Sequence, residues 1–485
     1  MAATLARLIG SDATVPWGAA AISIAGLTSD SREVRPGFVF AALPGTVADG
    51  VSFIAKAVAA GAVAVIAPEG VAAEVPVIAT SNPRRLFAVM AGRFFGSQPD
   101  LVVAVTGTNG KTSVTAFVRE IWTAMGFSAA SLGTVGVVGP FGTVELAHTT
   151  PDPMKLHEIA AGLARDHVNH LAIEASSHGL SQYRLDGLRI SAGAFTNLTR
   201  DHLDYHASVE AYFDAKMRLF EELLPKGAPA VINADSPEAT EVARRAVAHG
   251  LRLFMVGHNG LDLKLVSAGR EGLGQRLDVQ GPSRRHTLLL PLVGDFQAAN
   301  ALVAAGLVIA TGGEEELVIH ALTSLRGAKG RLDLAARSAA GAPIFVDYAH
   351  TPDALENAIL ALRPYVKGKL HVVFGCGGDR DKGKRPLMGA IVAKLADYPY
   401  VTDDNPRTED AKSIRAAIMA ACPDGVEIGN RAEAIRVAVD ALAAGDVLLV
   451  AGKGHEEGQK TGTTVIPFSD HDAVRAAIAG VDYHG

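Results

Sequence analysis

The sequence predicts an α/β protein in three domains: a small N-terminal α/β domain (residues 1–98), a central domain on a mainly parallel sheet with a phosphate-loop turn (99–330), and a C-terminal Rossmann-like, doubly wound α/β domain (331–485). Three observations carry this. At 485 residues the chain exceeds one ordinary core, and the usual domain size divides it into roughly three. Short, continuous apolar runs alternate with helical patterns, as buried parallel strands alternate with crossover helices. A Gly-rich turn at 106–112 joins one such strand to a helix.

In the first block, apolar runs at 37–43, 63–67 and 75–79 are separated by turn residues, which predicts a small α/β unit. Gly96-Ser97-Gln98-Pro99-Asp100 breaks the pattern. A continuous apolar strand at 101–106 then opens the second block, followed by a helical pattern over 111–125 that Gly126 ends. Strand-like runs at 171–174, 192–196 and 230–233 alternate with helical stretches and imply helices on both faces of the sheet. The third block begins near Gly330-Arg331. Runs at 343–348, 370–375, 400–402 and 447–451 read as its buried strands, with helices at 352–362 and 431–442 between them. No internal repeat or low-complexity tract interrupts this order.

Composition narrows the function classes. A hydrophobic share of 48%, a charged share of 20% and 51 glycines describe a soluble globular chain with many tight turns. A net charge of -6 without clustered Lys and Arg gives no footprint for nucleic acid or an acidic membrane. Two cysteines, Cys376 and Cys422, exclude a disulfide framework and a Cys-based zinc site, which fits a reducing cytoplasm. The apolar stretch at 17–27 follows Asp12 rather than a basic region and is too short for a bilayer, so neither a signal peptide nor a membrane span is expected.

Thr106-Gly107-Thr108-Asn109-Gly110-Lys111-Thr112 has the strand-turn-helix context of a phosphate-binding loop. Its glycines let backbone N–H groups approach phosphate oxygens, the helix start adds positive potential, Lys111 neutralises charge and the Thr112 hydroxyl can hold magnesium. The general pattern wants another Gly where this chain has Val105. Gly375-Cys376-Gly377-Gly378 superficially suggests a dinucleotide fingerprint. Its third glycine position is Arg380, however, so a carboxylate or phosphate site fits better than an oxidoreductase.

Glu174, in Ile173-Glu174-Ala175-Ser176-Ser177-His178-Gly179, closes a strand where ligands of open α/β sheets collect. It is either a solvated strand end or a magnesium ligand. The segment from Asn197 to His206, with Asp201, His202 and Asp204, is dense in ligating side chains. Lys216 lies in an apolar helical stripe with Tyr212, Phe213, Leu219, Phe220 and Leu223. Such a lysine ordinarily snorkels to water. Beside a metal site, a desolvated amine can instead take up carbon dioxide and become an anionic carbamate with two oxygen donors. In the third block, Asp347-Tyr348-Ala349-His350, Asp403-Asp404-Asn405-Pro406-Arg407 and Gly452-Lys453-Gly454-His455-Glu456 all follow strand ends. They are expected to converge on one crevice suited to a zwitterionic ligand.

Taken together these motifs resemble the Mur ligases of peptidoglycan precursor synthesis, over nearly the whole chain and most closely in the type that adds meso-diaminopimelate. The resemblance implies a UDP-sugar-binding first domain, an ATP-binding central domain and an amino-acid-binding third domain. It assigns uridine contacts to Ser29 and Ser31, with Thr46, Val47 and Ala48 nearby, and ATP phosphates to Gly107, Thr108, Asn109, Gly110, Lys111 and Thr112. It assigns the muramoyl dipeptide to Thr149, Thr150, Ser176, Gln182 and Arg184, and the Mg2+ site to Thr112, Glu174, His202 and carbamylated Lys216 (N6-carboxylysine). Asn300, Arg331, Asp347 and His350 match further nucleotide contacts, and Arg380, Asp404, Asn405, Arg407, Gly452 and Glu456 match the diaminopimelate pocket.

The implied reaction is a peptide ligation on UDP-MurNAc-L-Ala-D-Glu. ATP phosphorylates a carboxylate to an acyl phosphate, the amine of meso-diaminopimelate attacks, and phosphate leaves through a tetrahedral intermediate. A cytoplasmic monomer with small-molecule substrates is expected. The rivals are a lysine-adding or other Mur ligase or a folylpolyglutamate synthase, against which Asp404-Asn405-Pro406-Arg407 argues, and a non-catalytic nucleotide-binding regulator.

Overall fold

The computed structural model describes residues 3–45, 49–146, 148–199 and 205–483. Thr46, Val47, Ala48 and His202 lie outside the described residues. The chain forms two compact units. One comprises Met1–Val266, Val279–His286 and Ala299–Leu322; the other comprises Ser267–Asp278, Thr287–Ala298 and Thr323–Gly485.

The first unit holds a parallel sheet in the order Gly26–Thr28, Phe38–Ala41, Ala62–Ala67, Val77–Ala79. Its strands are apolar on both sides because both sides are covered: Val39, Ala41, Ala64 and Ile66 join one core cluster, Phe40, Val65 and Ala67 the other. On the first face lies the helix Pro83–Phe95, which buries Leu86, Phe87 and Met90. Asn82 caps it by accepting from the Arg85 N–H, Pro83 takes the first turn where no N–H partner is needed, and Gly96 ends it at φ +76.

The same unit contains the phosphate-loop sheet. Leu101–Thr106 is flanked by His170–Glu174 and Ile190–Phe195, both parallel to it. Beyond His170–Glu174 comes Ala129–Gly133; beyond Ile190–Phe195 come Pro229–Asn233 and Arg252–Gly257. The chain thus adds strands first to one side of Leu101–Thr106 and then to the other, which makes the carboxyl end of that strand a topological switch point. Antiparallel strands at Gly136–Gly139 and Gly142–Val144 extend one edge, and at the other edge Leu263 and Lys264 pair with Val256 and Gly257. The sheet is therefore mainly, not wholly, parallel.

In the second unit a six-stranded sheet runs Asp333–Arg337, Pro343–Asp347, Val447–Ala451, Leu370–Phe374, Tyr398–Val401, Val426–Glu427, parallel except for its first pair. Alternate residues face two cores, with Phe345, Val372 and Leu449 on one and Ile344, Val373 and Leu448 on the other. Four strand ends, Asp347, Ala451, Phe374 and Val401, stand side by side, so the segments after them share one edge. A fully buried ion pair fixes that edge: Arg431 donates to both Asp470 oxygens at 2.7 and 2.8 Å and to the Ala451 carbonyl at 2.9 Å. The bidentate geometry and the extra carbonyl offset the large cost of stripping two charges of water. Among the described residues no helix is long and apolar enough to cross a membrane.

Candidate active site

The loop after Leu101–Thr106 is pinned from the neighbouring strand end. The Thr108 N–H donates to the Asn197 carbonyl at 2.9 Å, the Asn109 N–H to Asn197 Oδ1 at 3.0 Å, and Thr196 Oγ1 to the Asn109 carbonyl at 2.6 Å. Gly107 (φ +144) faces Thr196 Oγ1 and Gly110 (φ +87) faces Asn300 Oδ1, each so closely that a Cβ would collide. Asn300 is thereby brought to the start of the Lys111–Ala124 helix.

Two lysine amines meet at one carbonyl. Lys111 Nζ donates to the Gly107 carbonyl at 2.9 Å and to that of Thr108 at 2.7 Å, and Lys216 Nζ donates to the Gly107 carbonyl at 2.8 Å. Lys216 is 1% exposed and lies 4.0 Å from the centre of the Tyr212 ring. Tyr212 in turn donates to Thr108 Oγ1 at 3.1 Å. The buried lysine of the apolar stripe therefore does not snorkel to water but reaches the phosphate loop. A π-helical turn, Leu219–Leu223, follows its helix directly.

Glu174 closes His170–Glu174 beside this loop. Its carboxylate accepts from the Thr134 N–H at 2.7 Å and from Thr134 Oγ1 at 3.2 Å, and Gly133 packs against Oε1 with no room for a Cβ. Thr134 Oγ1 also shares a hydrogen bond with Thr149 Oγ1 at 3.1 Å. Thr150 Oγ1 donates to the Glu174 carbonyl and meets Ser176 Oγ, both at 2.9 Å. Arg184 donates to the Thr150 carbonyl at 2.6 Å and to Gln182 Oε1 at 2.8 Å, while Gln182 donates to the Tyr205 hydroxyl at 3.0 Å. Thr149, Thr150, Glu174, Ser176, Gln182 and Arg184 are thus one hydrogen-bonded network, joined by Thr134 and Tyr205, which the sequence reading missed.

As a cation site, these residues offer hard oxygens in the Thr112 hydroxyl and the Glu174 carboxylate, the donor type magnesium takes alongside water and phosphate. Lys216 joins that set only as a carbamate. Among the described residues no group of three His, Cys, Asp or Glu comes together. Ser29 and Ser31 lie just beyond Gly26–Thr28, where Asp30 binds Arg32 in two-point fashion at 2.6 and 2.9 Å and its carboxyl pKa falls to about 2, chiefly through that side-chain hydrogen bond.

In the second unit, the Asp347 carboxylate accepts from the N–H groups of Leu332 at 2.6 Å and Ala349 at 2.8 Å. Burial raises its pKa, against the opposing pull of Arg331 and those two N–H groups. Arg331 lies over the Tyr348 ring at 4.9 Å, and His350, whose pKa burial lowers, bonds the Tyr348 carbonyl at 2.7 Å.

Asn405, Lys453 and Glu456 form a closed triangle of hydrogen bonds, with Asp404 Oδ1 3.9 Å from Lys453 Nζ and Asp404 Oδ2 against Gly452. Arg407 has a left-handed backbone (φ +53), held by its N–H to the Lys460 carbonyl at 3.0 Å, and its guanidinium donates to the Gly378 carbonyl at 2.7 Å. Arg380 is exposed and bonds only the Asp379 carbonyl among the described residues, at 3.2 Å, so no hydrogen bond ties its side chain to the others. Lys453 escaped the sequence reading although its segment was singled out; a lysine between two glycines at a strand end was the available signal.

A switch-point phosphate loop in one unit and a strand-edge cluster of paired charges in another define a nucleotide-dependent ligase of modular build. Family profiles make that specific: the Mur ligase middle domain matches residues 105–308, the Mur ligase glutamate ligase domain 330–454, and the Mur ligase family catalytic domain 23–95. The UDP-N-acetylmuramoyl-L-alanyl-D-glutamate--2,6-diaminopimelate ligase of Bradyrhizobium diazoefficiens is 54% identical over 98% of this chain and 99% of its own. That of Mesorhizobium japonicum is 53% identical over 94% and 95%. A solved structure of a ligase with the same name superposes with a TM-score of 0.74 at 32% identity, covering 99% of both chains. The chain belongs to the Mur ligase family and is an ATP-dependent ligase.

Proposed function

We propose that this chain joins meso-diaminopimelate to UDP-MurNAc-L-Ala-D-Glu, forming the UDP-muramoyl tripeptide, ADP and phosphate through an acyl phosphate. The observation that carries the ligation chemistry is the meeting of the Lys111 and Lys216 amines at the Gly107 carbonyl. The substrates are those in the names of relatives about half identical over nearly full length. Residues 1–98 bind the UDP sugar through Ser29, Ser31 and the 46–48 segment, 99–330 bind ATP, and 331–485 bind the amino acid, in a cytoplasmic monomer.

Lys111 and the loop N–H groups hold the transferring phosphoryl, with Asn300 on the nucleotide. The network of Thr149, Thr150, Ser176, Gln182 and Arg184 orients the dipeptide carboxylate, since Arg184 and the hydroxyls supply donors for an anion. Thr112, Glu174, His202 and carbamylated Lys216 would hold Mg2+, which when bound offsets negative charge on the phosphoryl oxygens. Arg380, Asp404, Asn405, Arg407, Gly452 and Glu456 hold diaminopimelate. The test is phosphate release with product mass: release must require ATP, the dipeptide substrate and the amino acid together. Release without the amino acid, or no mass gain on the dipeptide, overturns the reading.

Carbamylation of Lys216 has its own physical support. Lys216 is 1% exposed and its amine reaches the phosphate loop at the Gly107 carbonyl, so a carbamate there would bring two anionic oxygens to the loop that carries Lys111. Lys216→Ala is expected to lose most activity and to regain part of it with added small carboxylates, which can replace the carbamate oxygens. Full activity of the alanine variant, or an unmodified lysine in both the intact mass and the crystal density of active enzyme, refutes the modification.

A further inference from the structure

Lys453 carries a role beyond the assignments above. It follows Val447–Ala451 in the turn Gly452-Lys453-Gly454 and is 0% exposed. An ammonium so placed loses its hydration, which only close acceptors and anions can offset. The turn leaves it no retreat, because Gly454 (φ +56) presses on Tyr348, where a Cβ would come within 2.7 Å of the Tyr348 Cβ. Lys453 Nζ donates to Asn405 Oδ1 at 3.1 Å and to Glu456 Oε2 at 3.0 Å. Asn405 is fixed in turn: its Oδ1 also accepts from the Lys460 N–H at 2.9 Å, and its Nδ2 donates to Glu456 Oε2 at 2.8 Å. Both bonds to Glu456 therefore end on Oε2. The side chain is 32% exposed, and among the described residues Oε1 accepts no hydrogen bond.

We propose that Lys453 is a positioning residue for the amino-acid substrate, holding Glu456 turned so that Oε1 meets the substrate ammonium, with Asn405 locked in the matching orientation. This rests on the second unit being the amino-acid site. Burial alone would raise the Glu456 pKa, yet it lies below its ordinary value because the Lys453 charge and the bonds from Asn405 and Lys453 outweigh burial. The other charged or titratable groups acting on or beside this carboxylate are His455, Tyr348, Asp404 and Arg431. Arg431 is held by Asp470, which leaves Lys453 as the cation hydrogen-bonded to Glu456. A carboxylate with a lowered pKa stays charged above its ordinary range. Without the lysine charge, burial prevails, Glu456 protonates at higher pH, and ammonium binding weakens as pH falls.

The test uses Lys453→Met and Lys453→Gln in the full chain, with the amino acid that the unaltered enzyme is shown by product mass to accept. Refusal of diaminopimelate there removes the substrate assignment while the Lys453 test proceeds on the accepted amino acid. Expected is a rise in KM for the amino acid of about tenfold or more, growing toward acid pH, with kcat and the KM for ATP within about twofold. In a Glu456→Gln background the same substitutions should add little, since the lysine acts through that carboxylate. An unchanged KM, an equal loss for ATP, or an undiminished effect in the Glu456→Gln background overturns the proposal. If neither variant folds, the unaltered enzyme decides: a neutral-range acid limb in kcat/KM for the amino acid that Glu456→Gln abolishes refutes it, and a profile without such a limb supports it.

Discussion

Lys111→Ala is expected to lower turnover by about two or more orders of magnitude while the chain stays folded, because removing one preorganised group that stabilises developing charge typically costs ~10²–10³ in rate. The geometry gives this amine a fixed post. It lies over its own loop on the carbonyls of Gly107 and Thr108, the place proposed above for the transferring phosphoryl group. Losing those two hydrogen bonds costs the fold little, since a typical intramolecular hydrogen bond contributes only about 1 kcal/mol net. The loop keeps its ties to Thr196, Asn197 and Tyr212. Lys111→Arg should not restore activity, because a planar guanidinium cannot occupy the compact position of an ammonium on these two carbonyls. The measurement is phosphate release and amide product under saturating substrates, with a melting curve as the control for folding. Near-normal amide formation by a folded Lys111→Ala chain removes the ligation role from this loop.

The strands that the sequence made legible were those with continuous apolar runs. Leu101–Thr106 and Val447–Ala451 are buried on both faces, so nothing polar interrupts them. The strands of 263–290 escaped notice because they alternate or face water: Leu263–Glu271 is exposed over most of its length. The same holds for Gly142–Val144 at the opposite edge, exposed throughout. Candidate site motifs were readable where a strand end carried them, since open sheets gather ligands there. What could not be read was pairing across long sequence distances. Thr134 holds Glu174 from 40 residues away, and Lys216 reaches Gly107 across 109. Lys216 shows the limit well. Its apolar stripe favoured snorkelling, and only the tertiary position of the Gly107 carbonyl supplies the buried acceptor that keeps the amine from water.

The preference for meso-diaminopimelate over L-lysine is expected to reach at least roughly a thousandfold in kcat/KM, because a site built for polar pairing rejects an analogue lacking the paired group by up to ~10⁴–10⁵. The two amino acids differ by one carboxylate on the distal carbon, and Arg407 is the group proposed to receive it. Its left-handed backbone is an uncommon conformation for a residue with a side chain, maintained by bonds to Lys460 and Gly462. Gly377 leaves room where a Cβ would come within 2.7 Å of the guanidinium. One nitrogen is committed to the Gly378 carbonyl, and among the described residues the remaining two make no hydrogen bond, which leaves a fork for a carboxylate. Lysine would supply the ammonium for Glu456 and Asp404 but leave that fork without an anion in a partly desolvated place, the costly arrangement for a charge. Arg407→Ala should therefore lower kcat/KM for diaminopimelate strongly, narrow its advantage over lysine, and leave the KM for ATP unchanged. Arg407→Lys should recover little, since an ammonium cannot bind a carboxylate in two-point fashion. Comparable efficiency with lysine in the unaltered enzyme would sink the diaminopimelate assignment and leave the ligase chemistry standing, because nothing in the phosphate loop depends on which amine attacks.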